Sequence, residues 1–347
     1  MAKSEAVGHG AILSLPRVPP PCSPITFEGD YRWCVLLPTS LPFLLAAEVE
    51  QALHENRPVV ALESTIITHG LPRPVNARVA AEIEDVVRSQ GAVPATIALL
   101  RGRIQVGLSA DQLNELAADP EAIKVSVRDI AMAMATATTG ATTVAATAHL
   151  AHLAGICVFA TGGIGGVHRD ARTTWDESAD LTTLAHTPIT VISSGIKSIL
   201  DVAATLERLE TLGIGVCGYQ TRRTPGFYLT ELPHELPTRL ESAAQVASVM
   251  RARRLIADPA ALLVFQPLPA DRQMDPALHD VVLQAGLFDL AQRGISGKDV
   301  TPALLEYFRD HTEGESLRVN IELILANASL AAQIAAADTD LDRQARP

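Results

Sequence analysis

The chain has 347 residues, of which 48% are hydrophobic and only 4% aromatic, so it can bury a large core built mainly from aliphatic side chains. Its net charge is −11, the difference between 28 basic and 39 acidic residues with histidine counted as neutral. This acidic balance, together with the lack of a dense basic segment, argues against a protein whose main activity is nucleic-acid binding.

The first 43 residues are rich in proline and show no periodic hydrophobic pattern, which predicts a disordered N-terminal extension. Their most apolar stretch, residues 33–47, contains two prolines and is shorter than the roughly 18–20 residues that span a membrane. Acidic residues precede it where a signal peptide carries positive charge, so we expect neither a membrane segment nor a signal peptide. The four cysteines include no C-x-x-C pair, which argues against a zinc site or a disulfide framework and favours a cytoplasmic protein.

From about residue 45, predicted helices alternate with apolar strands. The helices are indicated by apolar residues at helical spacing, as in residues 76–90 and 198–213, and SADQ at 109–112 has the form of a helix capping box. The strands are short apolar runs at 58–64, 96–100, 103–108, 123–127, 156–163, 187–194, 214–221 and 261–268.

Apolar strands that alternate with helices are typical of a parallel sheet covered on both faces. We therefore predict an α/β fold, a three-layer α/β/α sandwich with a mostly parallel central sheet. No shift in composition divides the regular part, so residues 44–338 are predicted to form a single domain. The polar residues 339–347 are predicted to be a frayed tail.

Polar and ionisable side chains lie in or directly after four of the predicted strands. Ligands bind beyond the carboxyl ends of the strands in open parallel sheets, so these positions predict one shared site. Glu63 lies at the end of the first strand, Lys124 lies in the fourth, the loop 160–181 begins at the end of the fifth, and Lys197 follows the sixth. A carboxylate at the end of an apolar strand is costly unless paired, so Glu63 is either a general acid or base with a raised pKa or a capping or salt-bridging group.

Lys197 lies in the stretch VISSGIKSILD and is one of only four lysines among the 28 basic residues. Arginine therefore serves almost everywhere that a positive charge is needed. A desolvated lysine can lose its proton and add to a carbonyl group, whereas arginine cannot. The sequence thus leaves two interpretations of Lys197, a reactive amine or a surface lysine whose stem covers a strand end.

The loop 160–181 contains GGIGGVHR, in which His168 stands where a dinucleotide-binding fingerprint has its third glycine. Backbone amides with His168 and Arg169 fit a phosphate-binding loop better, and a plain turn is the alternative. The acidic cluster that follows, Asp176, Glu177 and Asp180, fits either a solvated helix start or an oxygen-ligand site for Mg²⁺ or Mn²⁺.

Taken together, these segments resemble the pseudouridine-5′-phosphate glycosidase family, which includes the indigoidine-biosynthesis A proteins. Eight collinear motifs carry the resemblance across residues 45–336, and residues 1–43 lie outside it. The motifs are VALESTIITHGLPRPVN (60–76), KVSVRDIA (124–131), GATTVAAT (140–147), FATGGIGGVHRDARTTWDESADL (159–181), SSGIKSILD (193–201), GYQTRRTPGFY (218–228), ISGKDVTPALL (295–305) and VNIELILANASLAAQIA (319–335).

The resemblance implies a reversible reaction in which pseudouridine 5′-phosphate and water give uracil and ribose 5-phosphate. It implies that Lys197 is the nucleophile, that Glu63 is the proton donor, and that Asp176 holds a divalent metal, usually Mn²⁺ but also another cation such as Mg²⁺. It further implies a homotrimer and a small phosphosugar or nucleotide substrate. The implied substrate-binding residues are Lys124, Val144 through its main chain, Ser178, Ala179 and Asp180, with His168 and Asn320 expected near the phosphate and the uracil.

The bond that this reaction breaks joins C1′ of ribose to C5 of uracil and has no heteroatom that an acid could protonate, unlike an ordinary glycosidic bond. A neutral lysine amine can instead open the ribose ring at C1′ and form an imine-type adduct, while Glu63 moves protons. Three alternatives remain open from the sequence: a Schiff-base phosphosugar lyase or aldolase, a C-glycosidase acting on another base, and a non-catalytic relative.

Overall fold

A computed structural model describes residues 43–295 and 300–344, and within these ranges eleven strands form one sheet. The predicted N-terminal extension lies outside the described residues except for Phe43. The strands are β1 (Phe43–Leu45), β2 (Val59–Leu62), β3 (Val93–Leu100), β4 (Arg103–Val106), β5 (Ile123–Val125), β6 (Gly140–Thr142), β7 (Val158–Ala160), β8 (Thr190–Ser193), β9 (Gly215–Tyr219), β10 (Arg239–Leu240) and β11 (Leu262–Phe265).

The main path of the sheet runs β1-β4-β3-β2-β7-β8-β11-β9-β10, and β6 pairs with both β3 and β5. All pairings are parallel except those that β3 makes with β4 and β6. Every residue of β2, β3, β7, β8 and β11 is buried, which requires helices on both faces of the sheet. The predicted three-layer sandwich with a mostly parallel sheet is confirmed.

The helices cover the sheet through apolar faces. In the helix that follows β2, Val79, Ile83 and Val87 recur at a spacing of four and are buried. The helices are α1 (Ala47–His54), α2 (Val75–Ser89), α3 (Ala110–Ala118), α4 (Ile130–Ala135), α5 (Val144–Leu153), α6 (Ala171–Thr174), α7 (Ala179–Leu184), α8 (Val202–Thr211), α9 (Ala243–Leu255), α10 (Pro276–Gln292), α11 (Val300–His311) and α12 (Glu315–Gln344).

Local capping interactions set where several helices begin. Ser109 and Gln112 form the predicted capping box at the start of α3. The helix predicted from residue 198 begins later, at Val202, because the carboxylate of Asp201 accepts a hydrogen bond from the Ala204 N–H and caps the helix there. Residues 198–200 form a turn instead, and this turn follows Lys197 directly.

The long helix α12 packs on β2, β7 and β8 and on the helices α2 and α9. It is long and apolar enough to cross a membrane, but 61% of its most apolar window is buried inside the protein, as expected for a core helix. It also continues past the predicted domain end at residue 338, because Arg254 holds Asp338 through two hydrogen bonds of 2.9 and 2.7 Å. The segment predicted as a frayed tail is therefore helical as far as Gln344.

Candidate active site

The carboxyl ends of β2, β7 and β8, which are neighbours in the sheet, bring together the predicted catalytic groups. Glu63 follows β2 directly and is half-buried, and its carboxylate accepts a hydrogen bond from the hydroxyl of Thr161 at the end of β7. Burial raises the pKa of Glu63, while the charge of Lys197 and the Thr161 hydrogen bond act in the opposite direction. Glu63 and Lys197 therefore interact electrostatically although 134 positions separate them in the sequence.

Lys197 lies in a turn beyond the end of β8 and is half-buried. The backbone N–H of Lys197 donates a hydrogen bond of 3.2 Å to the Ile164 carbonyl. Ile196 also pairs with Ile164 as in a parallel sheet, so the loop after β7 and the turn after β8 continue the pairing of these two strands. Gly195 has φ +79°, and a Cβ there would lie 2.1 Å from the Pro225 carbonyl oxygen. Only glycine fits at this position, which explains the glycine two residues before the lysine.

The buried side chain of Asn327, on α12, anchors the start of the glycine loop. Its Nδ2 donates to the Thr161 carbonyl at 2.9 Å and lies 3.1 Å from the Ser194 hydroxyl. Asn327 thus ties together the loops that carry Thr161 and Lys197. Neither Asn327 nor Thr161 was predicted from the sequence, although Asn327 lies seven residues after Asn320 and so on the same helix face.

Two members of the acidic cluster after the glycine loop, Glu177 and Asp180, have different roles. Glu177 pairs with Arg208 on the surface at 3.0 Å. Asp180 is 6% exposed, and its two oxygens accept hydrogen bonds from the N–H groups of Ala145, at 3.0 Å, and Gly165, at 2.8 Å. Asp180 therefore joins the glycine loop to the start of α5.

The residues beside Asp180 were predicted to bind substrate, and they lie at the starts of two helices. Ser178 caps α7 by accepting a hydrogen bond of 3.2 Å from the Asp180 N–H, and Ala179 is the exposed first residue of that helix. Val144 is the buried first residue of α5. The Asp180 carboxylate thus binds the main chain of both the glycine loop and α5. Its contact with substrate remains a prediction.

Asp176 is half-buried, and its carboxylate lies 3.5 Å from Nδ1 of His168. The backbone N–H of His168 donates a hydrogen bond of 3.1 Å to the Asp176 carbonyl. Burial lowers the pKa of His168, Asp176 acts against this shift, and Lys124 adds to it. Among the described residues, no group of three or more histidine, cysteine, aspartate or glutamate side chains is arranged to hold a metal ion. A cation at Asp176 would therefore keep most of its water ligands, which Mg²⁺ and Mn²⁺ tolerate.

Lys124, in the middle of β5, changes the pKa of several groups of this site. Its positive charge lowers the pKa of Glu63, of His168 and of His69. For His69, burial is the larger cause and Arg73 adds to the shift. His69 ends the same ESTIITH stretch that begins with Glu63, and it was not among the predicted site residues.

Asn320 lies on α12, is buried, and lines a cavity of about 330 Å³. Its Oδ1 approaches Gly162 of the glycine loop, at 3.6 Å from the position that a Cβ on Gly162 would occupy. Glu63 and Lys197 do not line this cavity. Its lining is His69, Gly70, Tyr228, Pro302, Ala303, Leu305, Glu306, Arg309, Ser316, Leu317 and Asn320.

Comparison with known proteins places this site in a family. The family model described as "Indigoidine synthase A like protein" matches residues 48–337. A pseudouridine-5′-phosphate glycosidase from Salinispora tropica is 58% identical over 291 residues, covering 84% of this chain and 90% of that protein. One of the same name from Saccharopolyspora erythraea is 54% identical over 301 residues, covering 87% of this chain and 99% of that protein.

Two solved structures are also similar. The prealnumycin C-glycosynthase AlnA in complex with ribulose 5-phosphate has a TM-score of 0.80 and 36% identity, covering 87% of this chain and 98% of that chain. An indigoidine synthase A-like protein from Thermotoga maritima has a TM-score of 0.78 and 33% identity, covering 86% of this chain and 96% of that chain. The chain belongs to the indigoidine synthase A-like family.

Proposed function

We propose that this chain is a pseudouridine-5′-phosphate glycosidase that reversibly converts pseudouridine 5′-phosphate and water to uracil and ribose 5-phosphate. The observation that carries the proposal is the electrostatic interaction of Glu63, after β2, with Lys197, after β8, at the same edge of the sheet. The curated relatives that carry this name, at identities up to 58% over most of their length, support the choice of substrate.

The geometry suits a reaction that opens the sugar ring. Burial favours the protonated form of Glu63, which can donate a proton to the ribose ring oxygen as the bond from that oxygen to C1′ breaks. The neutral amine of Lys197 forms a bond to C1′. The amine loses a proton to the Glu63 carboxylate, the electron pair of the C1′–C5 bond leaves with the uracil ring, and Glu63 returns that proton to C5. Water then hydrolyses the resulting imine and frees the lysine and ribose 5-phosphate.

The remaining predicted residues are proposed to orient the substrate. Lys124, whose charge acts on His168, is proposed to bind the phosphate group together with His168 and the backbone of the glycine loop. Asn320, at the cavity, suits the amide edge of uracil. Asp176, with His168 beside it, would hold Mn²⁺ or Mg²⁺ through water ligands, and the bound cation would supply positive charge that orients the phosphosugar.

The likeness to a C-glycosynthase solved with ribulose 5-phosphate supports a phosphosugar as one substrate and favours a second candidate, C-glycoside formation with a different aromatic acceptor. We also propose a homotrimeric, cytoplasmic enzyme, as the family resemblance implies. Size-exclusion chromatography with light scattering tests the trimer, which a monomeric or dimeric mass would contradict.

The function is tested by incubating the purified chain with uracil, ribose 5-phosphate and Mn²⁺ and measuring pseudouridine 5′-phosphate by mass spectrometry. We expect product from the wild type and none from Lys197→Ala. A folded wild type that forms no product with uracil but does so with another aromatic acceptor would support the C-glycosynthase candidate. Cleavage of a phosphosugar that lacks any base would instead support the lyase alternative.

A further inference from the structure

A buried pair of polar side chains lies directly beside Lys197. Ser198, the next residue, is 4% exposed, and its Oγ lies 2.8 Å from Nε2 of His279. His279 is 3% exposed and belongs to α10, 81 positions further along the chain. Burying two polar groups is costly unless they bind each other, so this contact holds α10 to the turn that carries the lysine.

Other contacts hold the same turn to the glycine loop. The guanidinium of Arg169 donates hydrogen bonds of 3.1 Å to the carbonyls of Ser198 and Ile199. The backbone N–H of Lys197 donates to the Ile164 carbonyl at 3.2 Å. The backbone N–H of Asp201 donates to the Val167 carbonyl at 2.9 Å. The backbone of the turn is thus bonded at both ends, and Ser198 provides a side-chain bond to a separate element.

The hydrogen-bond partners of His279 determine its tautomer. The Asp280 carboxylate lies 3.2 Å from Nδ1 and can only accept, so Nδ1 carries the proton and Nε2 accepts from the Ser198 hydroxyl. The rings of Phe308 and Tyr228, with centroids at 5.5 and 6.4 Å, pack around the imidazole. The order Asp280, His279, Ser198 is that of a hydrolase triad, but the buried Ser198 hydroxyl is not accessible to a substrate, so the arrangement restrains the turn.

We propose that Ser198 and His279 are positioning residues that fix the turn at Lys197 so that its amine is aimed at C1′ of the sugar. This inference rests on the proposed function, in which Lys197 is the nucleophile. Both side chains are buried, at 4% and 3% exposure, so we expect binding of the phosphate and the base not to depend on them. Loss of the pair therefore lowers kcat and leaves KM nearly unchanged.

The test compares steady-state kinetics of Ser198→Ala, His279→Asn and His279→Gln with the wild type. Displacing a reacting group by about 1 Å costs roughly 10²-fold in rate, so we expect kcat to fall about 10- to 100-fold in Ser198→Ala and His279→Asn, with KM within about threefold. Glutamine places its amide near the position of Nε2 and can still accept from Ser198, whereas asparagine reaches only the position of Nδ1. His279→Gln is therefore expected to recover most of kcat.

The double variant Ser198→Ala, His279→Asn is expected to be no slower than the slower single variant, because both changes break one bond. His186→Asn is the matched control, since His186 is exposed and its imidazole bonds the Thr182 carbonyl of the same segment, at 3.0 Å. Thermal melts verify folding, and Ser198→Ala, the smaller change, carries the test if His279→Asn does not fold.

Wild-type kcat in Ser198→Ala, or a raised KM with unchanged kcat, would overturn the inference. So would a glutamine variant no better than the asparagine one. A wild type that is itself inactive would overturn the proposed function. An active wild type with variants of unchanged kcat would overturn only the positioning role of Ser198 and His279.

Discussion

The hydroxyl of Thr161 donates a hydrogen bond to the carboxylate of Glu63 from the adjacent strand end. This contact favours the ionised form of Glu63, against the burial that raises its pKa. Thr161 therefore both orients the proposed proton donor and limits how strongly the donor holds its proton.

Replacing Thr161 by valine keeps the shape of the side chain and removes the donor. The pKa of Glu63 rises further, so the alkaline limb of the pH–rate profile for cleavage moves to higher pH. The plateau rate falls, by about tenfold, because the carboxylate loses its orientation. Thr161→Ser, which keeps the hydroxyl, is the control. An alkaline limb that stays in place or moves to lower pH would show that Glu63 is not the group that titrates.

Glu63 also links activity to stability. Because its folded pKa is raised above the ordinary 4.5, the protonated group contributes stability that is fully present below pH 4.5 and lost as the pH rises through the raised value. Glu63→Gln resembles the protonated form at every pH. We expect this variant to be inactive, to melt at a higher temperature than the wild type above that window, and to match it at about pH 4. Equal melting temperatures at all pH values would show that ionised Glu63 costs no stability.

Asp180 is expected to be mainly a structural group, because both of its oxygens accept backbone N–H bonds. Asp180→Asn places an amide N–H against one of these donors and leaves a buried group unpaired, which costs about 1–3 kcal/mol of unfolding free energy. Urea denaturation measures this change. Glu177→Gln, in the same loop, breaks only the surface pair with Arg208 and is expected to cost no more than about 1 kcal/mol. Equal effects of the two variants would contradict the assignment.

Asp176 is the proposed metal residue. Asp176→Asn keeps the size of the side chain and removes its charge, so we expect the Mn²⁺ concentration for half-maximal activity to rise at least about tenfold, in line with loss of a charged ligand. Glu177→Gln again serves as the control, since Glu177 is paired with Arg208. An unchanged Mn²⁺ requirement would place the cation elsewhere, and activity of the wild type in excess chelator would remove it from the reaction.

The sequence was sufficient to predict the fold and the meeting of Glu63 with Lys197. Apolar strands that alternate with helices define a parallel sheet, and polar residues after neighbouring strands must then lie at one edge. The antiparallel pairing of β3 with β6 was not foreseen, because a strand of three residues carries too little pattern to fix its partners.

The supporting residues were harder to predict. Asn327 and His279 lie within helices, where one polar residue on an apolar face gives no indication of its partner. Their contacts, with Ser194 and Ser198, depend on how α12 and α10 pack against loops from distant parts of the chain. The extension of α12 beyond residue 338 has the same origin, since it depends on a pair with Arg254 across 84 positions.

The most direct test of this account is to trap the proposed adduct. The wild type is incubated with ribose 5-phosphate and cyanoborohydride, which reduces an imine to a stable amine, and the modified peptide is identified by mass spectrometry. We expect the sugar phosphate on Lys197, with no adduct in Lys197→Arg. An enzyme that makes pseudouridine 5′-phosphate yet carries no adduct, or carries it on Lys124, would contradict the assignment of Lys197 as the nucleophile.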